Sequence, residues 1–178
     1  MLKIFRDTHY QFREEIRKLY LDTFSKGESA QHVDSEELDN EIRLAYEEGM
    51  MMVAVDENDE TKLNGALFVY PLHYVERFNP QLSEVQDKMH TPYIAEIMVH
   101  EKLRGQGIGR KMLNKTMSLL KENRSKEVFI RVWKRNVNAL KLYKDTGFEI
   151  VGKMLHTKLF PDRQTKFFMD KLYLKRGL

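Results

Sequence analysis

The segment Arg104-Gly105-Gln106-Gly107-Ile108-Gly109 has the makings of an anion cradle. It follows the apolar run Tyr93 to Val99 and precedes the helical run Arg110 to Leu120. Glycines let a backbone come close to a phosphate and accept positive φ. The unpaired N–H groups of the next helical turn then point at the anion, with the helix dipole behind them. Arg104 adds a guanidinium suited to a bidentate contact. Two other phosphate loops are excluded by spacing. A dinucleotide fingerprint needs G-x-G-x-x-G, and the spacing here is G-x-G-x-G; a nucleoside triphosphate loop ends in G-K-[ST], and here Gly109 is followed by Arg110-Lys111.

A second constellation lies in Asn136 to Phe148. Asn136, Ala139, Leu140 and Tyr143 fall at i, i+3, i+4 and i+7, so one stripe of a helix carries all of them.

The first segment resembles motif A of the GNAT superfamily of N-acetyltransferases, [QR]-x-x-G-x-[GA], with Arg104, Gly107 and Gly109 at its defining positions. The second resembles the superfamily's N-x-x-A-x-x-[LF]-Y-x-x-x-G-F motif in full, from Asn136 to Phe148. The strong resemblance spans Tyr93 to Gly152. It implies acetyl coenzyme A as co-substrate, with its pyrophosphate on Arg104, Gly105, Gln106, Gly107, Ile108 and Gly109. The pantetheine would run along the backbone of Ile97, Met98 and Val99 as an added strand does. Asn136 and Tyr143 complete the implied cofactor contacts. The family gives this tyrosine the role of general acid. A phenol with an ordinary pKa of about 10 suits a departing thiolate whose pKa is near 8.5. No metal is needed, because a thioester is already activated; the six histidines are scattered without ligand spacing. His100, just past the cofactor strand, either faces the site or ends the strand in solvent.

The base is less defined. An alkyl ammonium must lose a proton before it attacks. Glu96, between apolar neighbours on the cofactor strand, is the first candidate, because burial raises a carboxyl pKa toward the range a base needs. Some relatives carry a glutamate five residues before the motif asparagine; that position is Arg131 here. Glu28, His73, Tyr93 and a water chain stay open. The acidic group Asp34, Glu36, Glu37, Asp39 and Glu41 either attracts a cationic amine or forms a solvated helix face. Trp133 lines the acceptor pocket or caps the core.

The rest of the chain must position these groups. Its 178 residues suit one domain over 1–178, and 42% apolar content argues against disorder. A net charge of +3, evenly dispersed, demands neither nucleic acid nor a membrane surface. The absence of cysteine excludes disulfides and thiolate catalysis. With no signal-like N-terminus and no spanning apolar run, a cytoplasmic location is the expectation.

Periodicity predicts strands at Leu2–Arg6, Met51–Val55, Ala66–Tyr70, Tyr93–Val99, Glu127–Trp133, Phe148–Leu155 and Lys166–Leu174. Helices are predicted at Tyr10–Phe24, from Asp34 or Ser35 to Gly49, after Gly109, and at Asn136–Thr146. The order is that of the GNAT fold: an α/β (α+β) mixed, mostly antiparallel sheet of about seven strands flanked by helices. In that fold a splay between strands four and five admits the cofactor. One departure is Pro71 to Pro92, where the superfamily usually has a tight turn. Asn79-Pro80 reads as a helix start with Leu82, Val85 and Met89 as its apolar face, and loops of this length often act as lids.

These features predict a transferase moving acetyl to a primary amine by direct attack. The rival reading is a GNAT-fold module that senses acyl coenzyme A without turnover. Lys171, Lys175 and Arg176 give a weaker hint of nucleic acid, with no recognised binding motif around them. In the superfamily the last two strands often mediate homodimers.

Overall fold

The computed structural model describes residues 2–27, 30–75 and 85–178. In chain order the elements are β1 (Leu2–Asp7), α1 (Arg13–Phe24), α2 (Ser35–Glu47), β2 (Met50–Asp56), β3 (Asp59–Pro71), β4 (Pro92–Val99), α3 (Ile108–Glu122), β5 (Glu127–Trp133), α4 (Val137–Asp145), β6 (Glu149–Leu159) and β7 (Lys166–Gly177). The strands join one seven-stranded sheet in the order β1-β2-β3-β4-β5-β7-β6. All neighbours run antiparallel except β4 and β5, which are parallel.

Both faces of this sheet are covered, and β2 shows why its sequence is apolar throughout. Met51, Val53 and Val55 pack with Phe12, Ile16, Leu38 and Ile42 under α1 and α2. Met50, Met52 and Ala54 pack with Met112, Leu113 and Met117 under α3. A strand covered twice carries apolar residues at both parities.

Helix starts follow local chemistry. Tyr10 has φ 57°, so α1 begins at Arg13, three residues later than its apolar spacing suggests. The Asp7 carboxylate, 4% exposed, holds this turn. It accepts from Phe12 N–H at 3.3 Å, His9 N–H at 3.1 Å and the Tyr46 hydroxyl at 2.6 Å. α2 is capped by Asp34, which accepts from the Glu36 and Glu37 N–H groups at 2.8 and 3.0 Å.

Three strands run longer than expected. β3 starts at Asp59 and not Ala66, because its exposed polar half pairs with β2 although it has no apolar rhythm. β6 extends to Leu159 and β7 to Gly177 by pairing with each other. Pairing sustains a strand whose sequence alone gives no signal.

Within Pro71 to Pro92, the start at Asn79-Pro80 and Leu82 lie outside the described residues. The described end, 85–91, is turn and not helix. Met89 is 45% exposed, so it does not join the apolar face expected of it, whereas Val85 packs beside Tyr70, Leu72 and Tyr93. Leu72 and His73 N–H groups donate to Thr91 and Lys88 carbonyls at 2.8 and 3.1 Å, closing the base of the excursion like an extension of the β3–β4 ladder.

Candidate active site

A bulge in β4 makes the site. Phe68 lies opposite Glu96 and Val69 opposite Ile94, so Ala95 has no partner across β3. A bulge bends its strand and shifts the alternation of faces. β4 and β5 stay together only at Tyr93–Phe129 and Ile94–Ile130. Beyond those pairs the strands part, and the β5-facing edge of Ile97, Met98 and Val99 has no strand beside it. Alternate backbone groups along that edge point into the gap, as an added strand requires.

The cradle opens from the end of this edge. Gly105 and Gly107 have φ 77° and 78°, and Gly107 is the residue before α3. A Cβ built on either would meet nothing within 4 Å, so the turn faces open space. Arg104 Nε donates to the Val99 carbonyl at 3.2 Å, which lays the side chain along the loop. Ile108 is buried under the sheet and anchors the helix start, while Gln106 Nε2 donates to the Lys102 carbonyl at 3.5 Å. A Cβ on Gly109 would sit 3.7 Å from Leu142, 3.8 Å from Val99 and 3.9 Å from Ile97. Gly109 therefore lets the start of α3 lie close to Leu142 of α4 and to the Ile97–Val99 edge of β4. That unpaired edge and the open turn suit a pantetheine arm and a pyrophosphate.

Tyr143 approaches from the same face. Asn136 caps α4 through its side-chain oxygen, which accepts from Ala139 N–H at 3.2 Å. At the far end Gly147 (φ 88°) and the Phe148 N–H to Tyr143 carbonyl bond of 3.0 Å close the helix. Tyr143 is 6% exposed, and its ring lies 5.9 Å from that of Phe148. Arg110 Nη2 reaches Asp145 Oδ2 at 3.0 Å and holds α4 to the cradle helix. Burial, and then the negative charge of Glu96, push the Tyr143 hydroxyl well above its ordinary pKa. The hydroxyl stays protonated and feels a carboxylate across the gap.

Glu96 belongs to the opposite face. The bulge puts Ile97 and Val99 beside the α3 core and Met98 beside the α1–α2 core. Glu96 turns with Met98, toward α2. Burial raises its carboxyl pKa, while Lys171, Arg131 and Lys158 pull it down. Glu41 of α2 is raised too, by burial first and then by Glu96 and Glu37. Lys171 is lowered by burial, then by Arg131 and Lys158. These shared influences define one half-buried cluster on the α2 side of the splay. Tyr93 lies at its floor with Tyr70, ring centroids 5.9 Å apart.

Several expected residues do not reach this cluster. His100 is exposed at the outer end of β4, and His73 is exposed with its ring 5.3 Å from that of Tyr74. Glu28 lies outside the described residues. Trp133 is on the cluster's face, opposite Lys171 in the ladder, with Arg135 over its ring at 6.0 Å. Lys175 pairs with Glu127 at 3.3 Å, so it does not share a surface role with Lys171. Sequence reasoning passed over Lys171 and Lys158 as site residues. Glu41 had a legible signal: Glu37, Glu41 and Leu44 share one stripe of α2, and Leu44 packs on Tyr70, Tyr93 and Phe129.

The fold, the splay and the cradle define an acyl coenzyme A transferase architecture. A model of the acetyltransferase (GNAT) family matches residues 13–148, and the chain belongs to that family. Among solved structures, the ribosomal-protein-alanine N-acetyltransferase of Brucella melitensis is similar at 19% identity, with 99% of each chain covered and a TM-score of 0.72. A GNAT acetyltransferase of Staphylococcus aureus Mu50 is similar at 17% identity, covering 100% of this chain and 99% of its own, with a TM-score of 0.71. A GNAT acetyltransferase of Elizabethkingia anophelis with acetyl-CoA bound is similar at 19% identity, covering 99% of this chain and 98% of its own, with a TM-score of 0.65. The architecture is the GNAT fold, and the parallel β4–β5 pair marks its splay.

Proposed function

We propose that this protein is an N-acetyltransferase that moves acetyl from acetyl-CoA to a primary amine by direct attack, within one unit spanning 1–178. One observation supports the reading: Tyr143 and Glu96 lie on opposite faces of the sheet, the charge of Glu96 reaches the Tyr143 hydroxyl, and an open glycine turn precedes α3 on the Tyr143 side.

The thioester supplies an activated acetyl carbon. Arg104 and the backbone of Gly105 to Gly109 would hold the pyrophosphate. The free edge of Ile97 to Val99 would hold the pantetheine, and a backbone N–H there would polarise the carbonyl. Glu96, ionised, accepts a proton from the acceptor ammonium, directly or through water. The freed amine forms the N–C bond as the C–S bond breaks, Tyr143 gives its proton to the leaving thiolate, and the second proton of the acylated nitrogen passes through water to restore the phenol.

Burial has opposite consequences for the two groups. It keeps Tyr143 protonated, as an acid must be. It gives Glu96 more basic strength but delays its ionisation, so activity rises as pH climbs through the raised Glu96 value.

The test is thiol release from acetyl-CoA over a panel of small amines and peptides. Release that depends on an amine supports the transferase. Tight acetyl-CoA binding with no release from any amine would establish the sensor reading instead.

A further inference from the structure

Resting on the acetyl-transfer reading, a narrower statement about the acceptor follows from the charges on the α2 side of the splay. Three cations converge there from three adjacent strands. In the β5–β7 ladder Arg131 lies opposite Tyr173, and Lys171 lies opposite Trp133. In the β6–β7 ladder Lys171 also faces Met154, and Lys158 lies two positions beyond His156 on the same face. Arg131 is not left to swing. It hydrogen-bonds to the Tyr173 hydroxyl, and that hydroxyl donates to Met154 Sδ at 3.1 Å. A guanidinium fixed at one nitrogen keeps its other donors for a further partner.

Two carboxylates share the same space. Glu96 lies on β4, and Glu41 hangs from α2 one turn before Leu44, which rests on Tyr70, Tyr93 and Phe129. Glu41 Oε2 is buried and has no hydrogen-bond partner among the described residues. A buried carboxylate oxygen without a donor is costly unless something completes it. Gathering Arg131, Lys158 and Lys171 in one half-buried place is costly as well: Arg131 and Lys158 discourage the charge of Lys171, and Glu96 and Glu41 oppose them. Among the described residues Glu41 Oε2 lacks a donor, and the three cations share the space with two carboxyl groups that burial pushes toward their neutral forms.

A backbone bond ties two elements together next to Lys158. His32 N–H, in the connection before α2, donates to the Leu159 carbonyl at the end of β6 at 2.8 Å. Gln31 beside it is buried at 8% exposure. A strap from the α1–α2 connection to the β6–β7 hairpin restricts a long chain and favours a small acceptor.

We propose that the acceptor is a small amphoteric amine, carrying a carboxylate within a few bonds of its reacting nitrogen, with Arg131 and Lys171 holding the carboxylate and Glu41 receiving the ammonium. The ligand then supplies a donor to Glu41 and a further anion to the cations at once, and Glu96 is left to take the proton. An amine without the anion satisfies Glu41 but leaves the cations crowded; an anion without the amine does the reverse.

The experiment uses the full chain at saturating acetyl-CoA, with amino acids as probes. Each is compared with its methyl ester, its decarboxylated amine and a lysine-bearing peptide. The free acids should show kcat/KM about 10- to 100-fold above their esters and amines, the range for one or two charge-assisted contacts. Lys171→Met should collapse the acid-over-ester ratio toward one, and Lys171→Arg should restore part of it. The intact protein already tests the idea, so a poorly folding Arg131→Met variant does not block the answer. Equal or better use of the ester, the decarboxylated amine or the peptide overturns the proposal. So does an acid preference that survives Lys171→Met. Calorimetry of the same probes against the coenzyme A complex is the second arm. Tighter binding of acid than ester without turnover would sink the transfer reading alone, whereas turnover of esters and amines as fast as acids would sink the acceptor class alone.

Discussion

Ile94 and Met98 are four residues apart on β4, yet they face opposite sides of the sheet: Ile94 joins the α3 core and Met98 the α1–α2 core. Strict alternation would put both on one face. The unpaired Ala95 between them reverses the parity, and the same step sends Glu96 toward α2 while Ile97 and Val99 face the α3 side. One extra residue thus serves two half-sites from a single strand.

The close approach at Gly109 makes a prediction in which stability and binding move in opposite directions. Gly109→Ala meets nothing closer than 3.7 Å, so the fold accepts the methyl. Early in α3 the change should stabilise by up to about 0.5 kcal/mol, as lost chain freedom in the unfolded state is reduced. The methyl also fills the space between Leu142 and the β4 edge. Thermal unfolding should shift slightly upward while calorimetric acetyl-CoA affinity falls at least about tenfold. Unchanged affinity would place the pantetheine elsewhere.

Tyr143→Phe should lower kcat about 10- to 1000-fold, around the usual range for a positioned acid. Acetyl-CoA affinity should change little, because only a hydroxyl is removed. Single-turnover thiol release measures this directly; a rate within twofold of the parent would give the proton donor's role to water or another group.

Glu96→Gln should remove the acidic limb of the pH–rate profile as well as most of the rate. Burial raises the Glu96 carboxyl, so the parent gains activity as pH rises through that value. The amide neither ionises nor accepts the proton. A profile whose acidic limb persists in the variant would identify a different base.

Glu41→Gln should stabilise the protein more at high pH than at low. The folded value is raised above 4.5, by burial and then by Glu96 and Glu37, with Arg131 and Lys158 opposing. A raised carboxyl favours the folded state fully below the unfolded value, and that contribution is lost as pH climbs through the folded value. Glutamine has no such loss. The variant's advantage in Tm should therefore widen from about pH 4 to about pH 9, while the acceptor KM rises. A constant or shrinking gap would mean that Glu41 is ionised and well compensated in the free site.

The excursion between β3 and β4 should govern acceptor use. Its root is structural: Leu72 is 1% exposed among Tyr70, Tyr93 and Phe129. Leu72→Ala should cost about 2–4 kcal/mol in denaturant unfolding. Replacing residues 75–87 with a short glycine-containing turn, keeping Leu72 and Thr91, should raise the acceptor KM and spare acetyl-CoA affinity. Unchanged acceptor kinetics would leave selection to the α2 side of the splay.

What the sequence determined by itself was local. Arg104 to Gly109 announce the tight turn before α3, because glycines at fixed spacing accept the positive φ that Gly105 and Gly107 adopt. Asn136 to Phe148 identify α4 because its cap, stripe and closing glycine are read within a few residues of one another. Asp34 signals the start of α2 in the same way. Features that depend on partners were hidden: the first half of β3, the late start of α1 behind a left-handed Tyr10, and the bulge at Ala95, which no apolar pattern announces. Lys171 looked like a surface charge on a final strand. Only the order β5-β7-β6, with Glu41 of α2 laid across it, brings Lys171 beside Arg131 and Glu96. Cap and turn chemistry acts over neighbours in sequence, whereas the charged cluster is assembled from α2, β4, β5, β6 and β7, whose proximity is set by strand pairing and burial.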